Sequence, residues 1–89
     1  MALTADDVRE VRFTKAGLGR RGYSEVEVVG FLAEVANTLD GRGNVTATQV
    51  HNVAFSTSLG VGGFDEEEVD NYLDLIEQEL LERAQRTAG

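Results

Sequence analysis

Apolar residues recur at Val28, Leu32, Val35 and Leu39, spaced 4, 3 and 4, and the same rhythm returns at Val69, Leu73, Ile76 and Leu80. That spacing sets each group of four on one stripe of a helix, and the alternation of 4 and 3 is the seam of a two-stranded coiled coil. It predicts long helices over about 25–39 and about 66–85. Each has a capping signal in front of it, Ser24-x-x-Glu27 and Asp65-x-x-Glu68, in which the first side chain accepts a free amide and the glutamate reaches back to the cap. Asp40-Gly41 ends the first, and Arg83 and Arg86 suit the negative end of the second. Two shorter helices are predicted over about 4–12 and about 46–53, begun by Thr4-x-x-Asp7 and Thr46-x-x-Gln49. The segments between, 14–23 and 56–64, are glycine-rich and read as loops. The expected fold class is all-α: a tandem helix-loop-helix repeat with a short coiled coil.

The repetition extends beyond the seams. Leu3-Thr4-Ala5 is answered by Val45-Thr46-Ala47 and Phe13-Thr14 by Phe55-Ser56, at a shift of 42. Gly22-Tyr23-Ser24-Glu25 is answered by Gly63-Phe64-Asp65-Glu66 and Phe31-Leu32 by Tyr72-Leu73, at a shift of 41. Residues 1–40 and 41–89 thus read as one module written twice, together making a compact domain. A unit of about 40 residues seldom holds itself together without a metal, a disulfide or a partner. The chain has no cysteine and a single histidine, so the expected staple is self-association. Helix two would be about 24 Å long, and the linker from Asp40 to Val45 reaches only about 20 Å. Helix three must therefore begin near the end of helix two and is expected to run back along it. The two modules can pair within one chain or exchange between two chains as a swapped homodimer.

Charge separates the modules that the apolar skeleton equates. Of a net charge of −8, residues 1–23 hold five bases (Arg9, Arg12, Lys15, Arg20, Arg21) against three acids, whereas residues 65–82 hold nine acids and no base. Nucleic acid is excluded as a partner, because phosphate contacts need a basic face that the second module lacks. There is no apolar run long enough to span a membrane and no signal peptide, so a cytoplasmic location is expected. Nothing resembles a nucleophile with its base, a phosphate loop or the D-x-D-x-D-G ligand pattern of calcium. No enzyme, cofactor or metal is expected, and His51 reads as a helix-surface residue.

Two texts carry a family resemblance. The first is Leu3-Thr4-x-x-Asp7-Val8, Phe13-Thr14-Lys15 and Arg21-Gly22-Tyr23-Ser24-Glu25-x-Glu27-Val28-x-x-Phe31-Leu32. The second is Val50-His51-Asn52-x-x-Phe55-Ser56 and Gly63-Phe64-Asp65-Glu66-x-Glu68-Val69-Asp70-x-Tyr72-Leu73-Asp74. Each resembles the N-terminal domain of the DivIVA family of bacterial cell-division and polarity proteins, including its penicillin-binding-protein adaptor branch. The resemblance implies a parallel dimer with a short helix folded against a coiled coil and crossed loops at one tip, here fused as a pseudo-dimer. In several family members the tip touches the inner membrane face through an exposed apolar residue beside a basic one. In the adaptor branch a tyrosine and two acids four apart line a groove for arginine-containing tails.

The resemblance assigns different equipment to each module. Leu18 with Arg20 and Arg21 makes a basic apolar tip, and Leu59 and Val61 make an uncharged one; these five are the candidate membrane contacts. Val29 and Ala33 stand where module one would carry the groove acids. Asp70 and Asp74 remain in module two, one helical turn apart, with Phe64 in place of the tyrosine; these three are the candidate peptide-binding residues. The expected function is a non-catalytic interaction or scaffold module of bacterial cell division or cell-envelope growth, peripheral at an anionic inner membrane surface. Alternatives are a soluble adaptor for arginine-containing tails of cell-wall proteins, or a dimerisation module pairing with full-length DivIVA-like proteins.

Overall fold

The computed structural model describes residues 2–59 and 62–88. Four helices follow the expected order: α1 (Ala5–Glu10), α2 (Glu25–Leu39), α3 (Ala47–Asn52) and α4 (Glu66–Ala88). Thr4 and Thr46 close full capping boxes, each taking the amide three residues on while Asp7 or Gln49 returns to the cap amide. Both short helices stop where the backbone turns extended, at Val11 and Val53.

The all-α expectation is corrected. Segments read as loops contain three short strands, β1 (Arg21–Tyr23), β2 (Thr57–Leu59) and β3 (Phe64–Asp65), in an antiparallel sheet of order β2-β1-β3. Arg21 faces Leu59 in the first pair and Tyr23 faces Phe64 in the second. Lys15 forms a single bridge to Phe64 on the far side of β3. The physical reason is the demand of the crossing loops: their amides and carbonyls are drawn together at the base of two long helices, and pairing satisfies them. Glycine spacing alone gave no sign of it.

The hydrogen bonds at this crossing come in pairs related by the 41–42 shift. Ser24 N donates to Ser56 O at 2.8 Å, as Asp65 N does to Thr14 O. Ser56 N donates to Glu27 Oε1 at 2.7 Å, as Thr14 N does to Glu68 Oε1. Glu27 and Glu68 were expected to reach back to their own caps. They reach across instead, because the amides of Ser24 and Asp65 are already taken by the crossing carbonyls. The bond from Ser56 N holds the Glu27 carboxyl below the usual carboxylate range.

The aromatic residues obey the same exchange. Phe13 packs on Phe64 and Tyr72, with ring centroids 5.4 and 5.7 Å apart. Phe55 packs on Tyr23 and Phe31, at 5.5 and 5.9 Å. Each loop is therefore held to the base of the long helix in the other half of the chain. At the centre, Gly22 and Gly63 lie back to back, and a Cβ built on either would sit 2.8 Å from backbone atoms of the other.

Both long helices leave the sheet side by side in the same direction. Near the far end, Arg83 Nη1 of α4 donates to Leu39 O, the last residue of α2, at 3.0 Å. Of the eight seam residues seven are buried, with Val28, Val35 and Ile76 at 0 % exposure, while Leu73 is only half-buried. Among the helices, α1 packs most extensively on α2, and α3 on α4. So α3 begins at the end of α2, where Val45 N donates to Thr38 Oγ1 at 3.0 Å, but lies on α4, correcting the expected run back along helix two. Ala5 and Val8 of α1 and Val50 of α3 are buried with the seam in one cluster. The molecule is elongated, 48 × 22 × 21 Å.

Candidate functional site

Among the described residues, the surfaces that bear chemistry include a tip at the sheet end and two grooves flanking the long helices. At the tip, a turn closed by Arg20 N on Gly17 O, 3.0 Å, presents Leu18 at 87 % exposure. Leu59 is 68 % exposed and directly opposite Arg21 in the β1–β2 pair, so the two side chains share one face of the sheet. Arg20 is exposed beside them. The sequence named Leu18, Arg20, Arg21 and Leu59 from two separate loops, and the fold brings them to one end. Val61, also named, lies outside the described residues.

Groove one, about 240 Å³, lies where α1 and the extended segment after it cross α2. Val8, Val11, Phe13 and Leu32 line it, with Val29 and Ala33 on the α2 side and Arg9 and Arg12 along the rim. Arg9 is bound at 2.7 Å to Asp40, whose carboxyl the guanidinium holds below its ordinary range. Arg12 donates to the backbone carbonyls of Glu10 and Val11, at 3.4 and 3.2 Å.

Groove two, about 190 Å³, is built from the positions that the shift makes equivalent. Val50 and Val53 answer Val8 and Val11, Leu73 answers Leu32, and Asp70 and Asp74 answer Val29 and Ala33. Both aspartates are exposed and one helical turn apart on α4. Glu77 adds a third carboxylate, with His51 Nδ1 3.2 Å from its Oε1.

The aromatic partner of this acidic groove is not the one read from the sequence. Phe64 lines groove one, whereas the Tyr23 hydroxyl reaches across from β1 and donates to Asp70 Oδ1 at 2.8 Å. Burial and the charge of Asp70 push the phenol up to about 12, so it stays a donor across the physiological range. A tyrosine from β1 thus stands against Asp70 of α4. The signal was present in the sequence as Arg21-Gly22-Tyr23, but only the crossing of the loops tells which helix receives it.

One further polar cluster escaped the sequence reading. Glu79 is buried, at 4 % exposure, and accepts from Leu3 N at 3.0 Å and Arg83 Nε at 2.7 Å. Arg83 in turn donates to Leu3 O and Leu39 O. The cluster ties the start of α1, the end of α2 and the body of α4 together. The signal available was the Glu79–Arg83 spacing of four, obscured by eight neighbouring acids.

Among the described residues, no group of three or more His, Asp or Glu side chains could hold a metal ion, and no helix is long and apolar enough to cross a membrane.

The chain is similar to the cell wall synthesis protein Wag31 of three mycobacteria. It is 51% identical to that of Mycobacterium leprae over 39 residues, 43% of this chain and 15% of the relative. To that of Mycolicibacterium smegmatis it is 47% identical over 45 residues, 49% of this chain and 16% of the relative. To that of Mycobacterium tuberculosis it is 54% identical over 37 residues, 40% of this chain and 14% of the relative. The matched stretch is therefore about 15% of the length of these curated relatives. No family model and no solved structure matches the chain. Wag31 is a DivIVA-family protein, and over the matched residues this chain is DivIVA-like.

Proposed function

We propose that this DivIVA-like chain is a non-catalytic interaction module of bacterial cell-wall growth and division, built as a fused pseudo-dimer of residues 1–40 and 41–89. In that reading α2 and α4 are the parallel pair of a DivIVA-like dimer, and the tip touches an anionic inner membrane surface. The observation that carries the membrane role is the tip itself: two exposed leucines from different loops beside Arg20 and Arg21. Each basic residue near an anionic surface contributes about 1 kcal/mol, so binding through one tip is weak and salt-sensitive. The nine acids of residues 65–82 oppose it, which favours assembly of several modules on one membrane. Co-sedimentation with phosphatidylglycerol vesicles tests this. Binding is expected at low salt, with loss at high salt and in the Leu18→Ser/Arg20→Glu variant. Unchanged pelleting of that variant overturns the membrane role.

A second reading is favoured by groove two. Asp70, Asp74 and the Tyr23 hydroxyl form a polar surface complementary to a guanidinium, which two carboxylates can hold by charge-assisted hydrogen bonds. This supports a soluble adaptor for arginine-containing tails of cell-wall proteins. An arginine peptide is expected to lose about tenfold in affinity with Asp74→Ala and less with Tyr23→Phe, read by fluorescence anisotropy. Equal affinity in the Asp74→Ala protein sets this reading aside.

A further inference from the structure

Grooves one and two occupy equivalent places in the fold and carry opposite chemistry. On the long helix, Val29 and Ala33 replace a carboxylate pair. On the short-helix side, Arg9 and Arg12 answer His51 and Ala54. The residues lining groove one include two arginines and no carboxylate; those lining groove two include three carboxylates and neither lysine nor arginine. We propose that groove one is a docking site for an apolar segment of a partner protein that carries a carboxylate, Asp or Glu, within reach of Arg12.

Two observations select this occupant. The first is the apolar wall. Val29 is 56 % exposed although it belongs to the helix that buries Val28, Leu32 and Val35, and it adjoins half-buried Phe13 and Phe64. A leucine-sized side chain laid there removes apolar surface on both sides from water. The second is the rim charge. Arg9 is neutralised by Asp40, whereas the hydrogen bonds of Arg12 among the described residues go to carbonyls of its own turn, Glu10 and Val11. A partner carboxylate at Arg12 would make a charge-assisted pair, stronger than those contacts.

A second copy docked through the same face does not fit. Face-to-face pairing across a two-fold axis would set Arg9 and Arg12 toward Arg9 and Arg12, and would bring two concave surfaces together.

The probe is a short fluorescein-labelled amphipathic peptide with two leucines one turn apart and a glutamate on the next turn. A twin carries lysine in place of the glutamate. Anisotropy titration is expected to show the intact chain preferring the glutamate peptide by about tenfold. Arg12→Glu should abolish that preference, and Val29→Asp should weaken the glutamate peptide by about tenfold through like-charge repulsion. Gln85→Ala, exposed on α4 and outside the lining of both grooves, should leave it unchanged. Arg12, Val29 and Ala33 are exposed, and circular dichroism melts check that each variant is folded; if Val29→Asp is not, Ala33→Asp takes its place. Equal affinity for the twins, binding that survives both rim and wall substitutions, or concentration-dependent self-association without peptide binding overturns the proposal.

Discussion

Gly22→Ala is expected to lower stability by about 3 kcal/mol, a shift on the order of 15 °C in melting temperature for a domain of this size. The added Cβ would lie 2.8 Å from Gly63 C and Cα and 2.9 Å from Ala16 Cβ. Real side chains relieve such overlaps by rotating, but a Cβ has no torsion of its own and Gly63 meets it with backbone. Retreat would pull β1 from β3 and with it the paired bonds Ser24–Ser56 and Asp65–Thr14. Gly63→Ala should cost about as much, since its Cβ meets Gly22 at the same 2.8 Å. Gly17→Ala is the control: its Cβ meets only the flexible Arg20 side chain, at 3.5 Å, and should change stability by less than about 0.5 kcal/mol. Thermal melts followed by circular dichroism measure all three, and light scattering should find the parent chain a 9.6 kDa monomer. A melting temperature for Gly22→Ala within a few degrees of the parent would mean that the crossing is not as tight as described.

This crossing marks how far the sequence could be read. The seam residues Val28, Val35, Val69 and Ile76 were legible because burial on a helix follows its period. The four helix starts were legible because an amide at an N-terminus needs a nearby acceptor. Gly22 and Gly63 were legible only as turn residues. Their mutual contact depends on two segments 41 positions apart meeting, which no local rule encodes. The same limit set Phe64 beside the aspartates when it is the Tyr23 hydroxyl that bonds Asp70, and turned Glu27 and Glu68 toward their own caps. In each case the contacting partner lay 29 to 54 residues away in the sequence. The candidate tip was legible from each loop separately, whereas its union at one end required the β1–β2 pairing of Arg21 with Leu59.

Glu79→Ala is the second large expected loss, about 3 kcal/mol. Removing the carboxylate strips Leu3 N and Arg83 Nε of their acceptor in a part-buried site, and Arg86 Nη2 loses an oxygen 3.5 Å away. Arg83 keeps Leu39 O and Leu3 O and is half-exposed to water, which places the loss at the lower end for a broken buried pair. Acid should produce part of the same effect. The Arg83 guanidinium, helped by Leu3 N and against the cost of burial, holds the Glu79 carboxyl below its ordinary value. A group depressed on folding binds its proton more readily when unfolded. Its contribution is therefore complete above the unfolded carboxylate pKa of about 4.3 and is lost as pH falls through the lower folded value. Glu79→Gln isolates this term, because the amide keeps an acceptor for Leu3 N but cannot titrate. Urea unfolding of parent and Glu79→Gln should differ clearly at neutral pH, and the gap should narrow as pH falls below about 4. Asp40 and Glu27, also depressed, titrate in both proteins and cancel in that difference. A gap independent of pH would show that the charge of Glu79 contributes nothing, the difference then coming from the changed hydrogen bonding of the amide.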